Sequence, residues 1–199
     1  MDKNFSAYAG CVLAGGRSRR MGTDKALLEL DGKPLIAIAL ERLSAFPEVF
    51  ISAAAKDSYA SFGARVVADE EPGLGPLGGF LSALKAARSE YVCFRPVDAP
   101  FVPAELHPML AKACLGKDAA VPVCKGSLEP LIACLAKSAL PAIEGLVAAK
   151  NYKAADVFPL LDTSYIELDD PETILEFGDP KEYLVNANDP LTFAKIGDR

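Results

Sequence analysis

The sequence is poor in the residues and segments that several large classes of protein require. Its 199 residues include a single histidine, which nearly excludes Ser-His-Asp and Cys-His nucleophilic sites. No apolar run approaches the roughly 18 residues that cross a membrane, and the N-terminal MDKNFSAYAG lacks the apolar core of a secretory signal. No internal repeat, low-complexity tract or long linker divides the chain. We therefore expect one cytoplasmic domain that spans residues 1–199 and has no membrane partner.

The five cysteines form no CxxC pair and have no His-rich neighbourhood. An odd number of cysteines, most of them within apolar runs, is typical of reduced core residues and not of a disulfide framework or a zinc site. Hydrophobic residues make up 51% of the chain, enough to bury a substantial core.

Positive charge is concentrated in one short segment of an acidic chain. Residues 15–25 contain three arginines and a lysine against one aspartate, a charge of +3, whereas the chain as a whole carries −6 and its remainder −9. The overall charge argues against a nucleic-acid partner. A single basic loop in an acidic protein instead favours binding of a small anion.

Short apolar runs alternate with segments of helical spacing along most of the chain. Buried strands are predicted at residues 8–14, 48–54, 64–69, 91–97 and 119–124. Helices are predicted at residues 34–43, 77–88, 103–114 and 138–149, and a last strand at residues 183–186. This alternation predicts a three-layer, Rossmann-like α/β fold with a mostly parallel central sheet.

Three charged or Gly-rich clusters follow predicted strands: residues 15–25, residues 69–79 and Asp98. Ligands of open α/β sheets bind beyond the carboxyl ends of the strands, so we expect the fold to bring these clusters together. The first cluster is not a Walker A loop, because Gly22 is followed by Thr23 and not by lysine. It also lacks the spacing of a dinucleotide fingerprint.

The loop at residues 13–25 reads L-A-G-G-x-S-x-R-M-G-x-D-K. With this loop and five later segments, the chain resembles the molybdenum cofactor guanylyltransferase family, a group of molybdopterin nucleotidylyltransferases. One short match would be weak evidence, but ordered matches through most of the chain are specific. The later segments are LLELDGKPL, GPLGG, VDAPF, EPLIACL and NANDP, at residues 27–35, 75–79, 97–101, 129–135 and 186–190.

The resemblance implies a nucleotidylyltransferase fold with a nucleotide-binding first half and an acceptor-binding second half. The implied reaction transfers GMP from GTP to molybdopterin or its molybdenum form and releases pyrophosphate. A client molybdoenzyme or its chaperone is a further implied partner. Because a terminal phosphate is already ionised near neutral pH, the attack needs no dedicated general base.

The residue types suit this chemistry. Gly15 and Gly16 have no side chains to keep backbone N–H groups away from phosphate oxygens. Lys25 is a mobile cation for the triphosphate, and Asp98 is a hard oxygen ligand for Mg²⁺. The resemblance implies catalytic roles for Lys25, Asp98 and Arg19, nucleotide binding by Leu13, Ala14, Gly15, Gly16, Lys25, Asp69, Gly75, Pro76, Leu77 and Asp98, and acceptor binding by Asn186 and Asn188.

Two alternative functions remain open at the level of sequence. One keeps the fold and changes the substrates, as cytidylyl transfer to the same cofactor or nucleotidyl transfer to a sugar or polyol phosphate. The other is a non-catalytic pterin or nucleotide carrier, against which the presence of both Lys25 and Asp98 argues. Ala54 occupies a position where the family commonly has asparagine, which bears on base preference. His107 is expected on the surface, without a catalytic role.

Overall fold

The computed structural model describes residues 5–15, 24–69 and 73–186. Its strands are β1 (Tyr8–Leu13), β2 (Glu29–Leu30), β3 (Lys33–Pro34), β4 (Glu48–Ala53), β5 (Arg65–Ala68), β6 (Tyr91–Pro96), β7 (Ala119–Cys124), β8 (Ser127–Leu128), β9 (Cys134–Ala136) and β10 (Thr163–Glu167). Its α-helices are α1 (Leu35–Arg42), α2 (Gly75–Ala86), α3 (Leu106–Cys114), α4 (Leu140–Ala148), α5 (Pro171–Phe177) and α6 (Pro180–Tyr183).

The central sheet has the strand order β10-β7-β9-β6-β1-β4-β5, with the short β8 paired to β7. Strands β5, β4, β1 and β6 pair in parallel, and so do β7 and β10. Strand β9 is antiparallel to both β6 and β7, so these two neighbours run in the same direction. All six long strands therefore end at one edge of the sheet.

Alternate residues of β1 enter the cores on opposite faces of the sheet. Tyr8 and Val12 belong to the core that includes side chains of α1 and α3. Ala9 and Cys11 belong to the core that includes side chains of α2 and α4. Burial on both faces is why the central strands are almost continuously apolar. These two cores confirm the predicted three-layer fold with its mostly parallel sheet.

The predicted strands and helices up to residue 124 are confirmed, with small changes at their ends. Helix α2 begins at Gly75 and not at residue 77, because Pro76 fits the first helical turn. The helix predicted at residues 138–149 is confirmed as α4, preceded by a short 3₁₀ turn.

The strand predicted at residues 183–186 is wrong. Residues Pro180–Tyr183 form α6, whose first turn is capped by the Asp179 carboxylate, which accepts a hydrogen bond from the Lys181 N–H at 3.0 Å. The edge strand β10 was not predicted. Its residues are partly exposed, so its sequence TSYIE includes polar residues and does not form an apolar run.

The surface position predicted for His107 is also wrong, since its side chain is fully buried where α3 packs against β6. The five cysteines form no disulfide bond in the described structure, and four of them are buried. Among the helices of the described ranges, none is long and apolar enough to cross a membrane.

Candidate active site

A cavity opens at the carboxyl edge of the sheet, where β1, β4, β5 and β6 end beside the first turn of α2. Backbone hydrogen bonds hold the strand ends together: the Ala14 N–H donates to Ser52 O at 2.9 Å and the Val97 N–H to Leu13 O at 3.1 Å. The cavity is lined by Leu13, Ala14, Gly15, Asp24, Lys25, Ala26, Ser52, Asp69, Gly75, Pro76, Gly79, Pro96, Val97, Asp98 and Leu131. All three predicted clusters thus contribute to one site.

Lys25 and Asp98, 73 positions apart in the sequence, form an ion pair in this cavity. The Lys25 Nζ lies 3.5 Å from Asp98 Oδ2, and the two side chains are 22% and 25% exposed. Lys25 begins a 3₁₀ helix (Lys25–Leu27) that is capped by Asp24, whose Oδ1 accepts a hydrogen bond from the Ala26 N–H at 3.0 Å. At this distance the two charged atoms are in direct contact, and their partial exposure leaves both accessible to a ligand in the cavity.

Asp69 follows β5 and lies against the end of β4. Ser52 Oγ donates a hydrogen bond to Asp69 Oδ1 at 3.2 Å. Burial raises the pKa of the Asp69 carboxyl, and the Ser52 hydrogen bond opposes that shift. Sequence reasoning missed Ser52, although a hydroxyl near the end of the otherwise apolar stretch VFISA is a signal that could have identified it.

The first turns of α2 form one wall of the cavity. Gly75 has a φ of +60°, which glycine adopts readily, and Pro76 occupies the first helical turn. A Cβ on Gly79 would lie 3.0 Å from Leu13 Cδ2 and 3.2 Å from Ser52 Oγ, so this glycine lets α2 approach β1 and β4 closely. Leu77, predicted to bind nucleotide, is fully buried in the core, and its side chain does not line the cavity.

The other predicted site residues are distributed as follows. Asn186 is exposed at the end of the last described segment, and Ala54 is exposed; neither lines the cavity. The remaining predicted site residues lie outside the described residues and keep the status of predictions: Gly16, Arg19 and Asn188.

The donor set of the cavity fits a magnesium–nucleotide complex. Within the described ranges no group of three or more His, Cys, Asp or Glu side chains could hold a metal ion by itself. Protein-bound Mg²⁺ is commonly held by one or two carboxylates, substrate phosphates and water. Asp98, partly exposed in the cavity and beside Lys25, supplies a carboxylate of the kind that such a site needs.

An open parallel sheet with a glycine-containing loop after its first strand, and with charged groups gathered at the strand ends, defines a nucleotide-binding α/β protein. Residues 10–162 match the family described as the MobA-like NTP transferase domain. The chain belongs to this family of nucleotidyltransferases.

Named relatives cover nearly the whole chain. A protein of Carboxydothermus hydrogenoformans named "Probable molybdenum cofactor guanylyltransferase" is 34% identical over 186 residues, which cover 93% of this chain and 92% of that protein. A molybdenum cofactor guanylyltransferase of Shewanella halifaxensis is 31% identical and matches over 94% and 92% of the two chains.

A solved structure supports the same assignment. It is molybdopterin-guanine dinucleotide biosynthesis protein A of Archaeoglobus fulgidus, which is 26% identical to this chain. The two structures superpose with a TM-score of 0.81 over 96% of this chain and 97% of the other. The family and the fold inferred from the sequence motifs are thereby confirmed.

Proposed function

We propose that this protein transfers GMP from GTP to molybdopterin or its molybdenum form and releases pyrophosphate. The observation that carries the proposal is the approach of Lys25 to Asp98 in the cavity, 3.5 Å apart at the end of the sheet where nucleotides bind. The relatives' names supply the guanylyl group and the acceptor.

In the proposed reaction an oxygen of the acceptor's terminal phosphate attacks the α-phosphorus of GTP. A bond forms between them as the bond from the α-phosphorus to the bridging oxygen breaks, and pyrophosphate leaves. The second pKa of a phosphate monoester is about 6, so the attacking group is already ionised at neutral pH. The chain's single histidine, His107, is buried in the core and is not needed as a base.

Two residues handle the charge of the triphosphate. Lys25 follows the negative charge that develops on the departing pyrophosphate. Asp98 would hold Mg²⁺, which would neutralise phosphate oxygens and so make the α-phosphorus easier to attack. We assign Asp69, which accepts a hydrogen bond from Ser52, to accept hydrogen bonds from the nucleoside as well.

We assign base selection to the GPLGG segment at the start of α2. Guanine presents a carbonyl acceptor, to which the backbone N–H groups at the start of α2, near Gly75, could donate, because the first turn of a helix leaves its N–H groups without intrahelical partners. Cytosine would leave part of a purine-sized space empty and the same backbone groups unpaired. Such discrimination can reach about 10⁴-fold. Ala54 is exposed and does not line the cavity. We therefore expect the loss of the asparagine side chain at this position to lower the affinity for the nucleotide without changing the preferred base.

We assign the acceptor to the second half of a single domain, residues 1–199. Strands β7 and β10 end at the same sheet edge as β1, β4, β5 and β6, and Leu131, between β8 and β9, lines the cavity. Asn186 and Asn188 keep their predicted role in acceptor binding. The free cysteines favour a reducing, cytoplasmic setting, where a client molybdoenzyme or its chaperone receives the product.

The test is a competition assay with purified protein, Mg²⁺, molybdopterin and equimolar GTP and CTP. We expect pyrophosphate release that depends on the acceptor and a product that carries mainly guanine. A product that carries mainly cytidine would overturn the guanine assignment but not the transfer reaction. Absence of pyrophosphate release with every NTP and both acceptor forms would overturn the proposed function.

A further inference from the structure

Arg95 is a fully buried cation in β6, three residues before Asp98. Its side chain has no exposed surface and is among the largest fully buried ones in the described part of the chain. Burial lowers the pKa of Arg95 to about 9, so the guanidinium remains charged at neutral pH. A buried charge is costly unless it is paired or hydrogen bonded, so this position calls for an explanation.

The hydrogen bonds of Arg95 all go to the turn that follows Asp98. Its Nη2 donates to Ala99 O at 2.8 Å, to Val102 O at 2.9 Å and to Pro100 O at 3.3 Å. The Nε and Nη1 atoms make no hydrogen bond to any described residue. One nitrogen therefore donates to three carbonyl oxygens of the same turn.

These carbonyls belong to residues that are themselves buried, so each needs a donor inside the protein. The turn contains Pro100 and is followed by Pro103, and neither proline supplies a backbone N–H. The Arg95 guanidinium, from the strand that precedes the turn, supplies hydrogen-bond donors in place of the N–H groups that proline lacks. It also fixes the path of the chain directly after Asp98.

We propose that Arg95 is a positioning residue, whose guanidinium holds the turn at residues 98–102 in the shape that presents the Asp98 carboxylate to the cavity. This inference rests on the proposed function, in which Asp98 holds the metal of the metal–nucleotide complex. Groups that orient a metal ligand typically contribute about tenfold to 100-fold in metal affinity. A purely structural arginine would affect stability and leave the metal affinity of the folded protein unchanged.

The experiment measures Mn²⁺ binding by electron paramagnetic resonance in the presence of GTP, for the wild type and Arg95→Met. Methionine keeps most of the side-chain volume and removes every donor. We expect Mn²⁺ affinity to fall about tenfold to 100-fold, while GTP affinity without metal stays within about twofold. Amide hydrogen exchange should become faster in the peptide that covers residues 98–102.

Arg65→Met is the matched control, since the Arg65 guanidinium also donates to a backbone carbonyl, Ala86 O, at 3.2 Å, but does so away from the cavity. We expect wild-type Mn²⁺ affinity in this variant. If Arg95→Met does not fold, Arg95→Lys decides, because its single ammonium group cannot reproduce the placement of Nη2 and should weaken Mn²⁺ binding in the same direction. Wild-type Mn²⁺ affinity in a folded Arg95 variant would overturn the proposal.

A double variant separates positioning from a direct effect. In Asp98→Asn the carboxylate is lost, so adding Arg95→Met should weaken Mn²⁺ binding no further; a second full loss would overturn the proposal. If the wild type binds no Mn²⁺ with GTP, the proposed function fails. Hydrogen exchange at residues 98–102 then tests the turn by itself, and unchanged exchange in Arg95→Met overturns the positioning role.

Discussion

Tyr59 donates a hydrogen bond from its hydroxyl to Asp24 Oδ2 at 2.8 Å and so joins the loop after β4 to the residue that caps the Lys25 turn. Tyr59 has a φ of +61°, a left-handed conformation that is unfavourable for a bulky residue. Burial and the contact with Asp24 raise the pKa of the Tyr59 hydroxyl, which keeps it a donor at neutral pH. The hydrogen bond therefore connects the loop after β4 to Asp24, which lines the cavity.

Tyr59→Phe removes this hydrogen bond and keeps the ring. If the hydrogen bond contributes about 1 kcal/mol to the free energy of GTP binding, its loss should raise the KM for GTP about fivefold. We expect a smaller effect on kcat, and steady-state pyrophosphate release measures both constants. Tyr165→Phe, on the partly exposed edge strand β10, is the control and should behave as the wild type. An unchanged KM in Tyr59→Phe would show that Asp24 needs no second anchor.

Lys25→Ala should reduce transfer strongly and leave Tm nearly unchanged. A partly exposed ion pair such as Lys25–Asp98 contributes only about 0–1 kcal/mol to stability, whereas the cation acts on the triphosphate. Thermal unfolding and pyrophosphate release measure the two effects. Lys117→Ala is a matched control, because Lys117 pairs with Asp162 at 2.7 Å on the surface. Strong destabilisation with normal activity per folded molecule would make Lys25 a structural residue.

Asp98→Asn should keep the fold and lower turnover at least about 10²-fold, the loss typical of a principal electrostatic stabiliser. Asparagine matches the shape of aspartate but lacks the charge that Mg²⁺ requires. Asp162→Asn removes a carboxylate that also has a lysine partner and should leave turnover unchanged. Near-normal pyrophosphate release in Asp98→Asn would contradict the metal assignment.

His107 should make the protein less stable in acid. Burial, followed by the nearby charge of Arg95, lowers the pKa of His107 to about 3. The unfolded chain binds a proton near its ordinary pKa of about 6.5, while the folded chain stays neutral. This residue therefore lowers the free energy of unfolding by about 1.4 kcal/mol per pH unit as pH falls from 6.5 toward 3.

His107→Gln removes this titration. Urea unfolding at pH 7, 5 and 4 should show a flatter pH dependence for the variant than for the wild type. Parallel curves would mean that His107 takes up its proton equally in both states.

Gly79→Ala should disturb the cavity from the side of α2. The added Cβ has to displace the side chains of Leu13 and Ser52, at a cost of about 1–3 kcal/mol for overpacking. Gly145→Ala is the control: its Cβ would meet nothing within 4 Å, so α4 should gain up to about 1 kcal/mol of helix propensity. Urea unfolding measures both, and equal stabilisation of the two variants would contradict the close packing at Gly79.

The sequence was sufficient to predict the parallel strands and the residues that meet at their ends, because strands buried on both faces are continuously apolar. Lys25, Asp69 and Asp98 each follow or flank such a strand. The local sequence pattern gave a wrong prediction where tertiary packing decides burial. His107, between Leu106 and Pro108, was predicted at the surface, yet it is buried where α3 packs against β6. Arg95 could not be assigned a role, because its partners are set by the tertiary path of the turn that follows Asp98.

The short antiparallel strand β9 lies between two groups of parallel strands in the central sheet. It pairs through three residues with β6 and through two residues with β7. Within the described sheet, β5, β4, β1 and β6 are joined to β7 and β10 only through this short ladder. Within the sheet, the alignment of the two groups of parallel strands, and of the loops at their carboxyl ends, therefore depends on one three-residue strand.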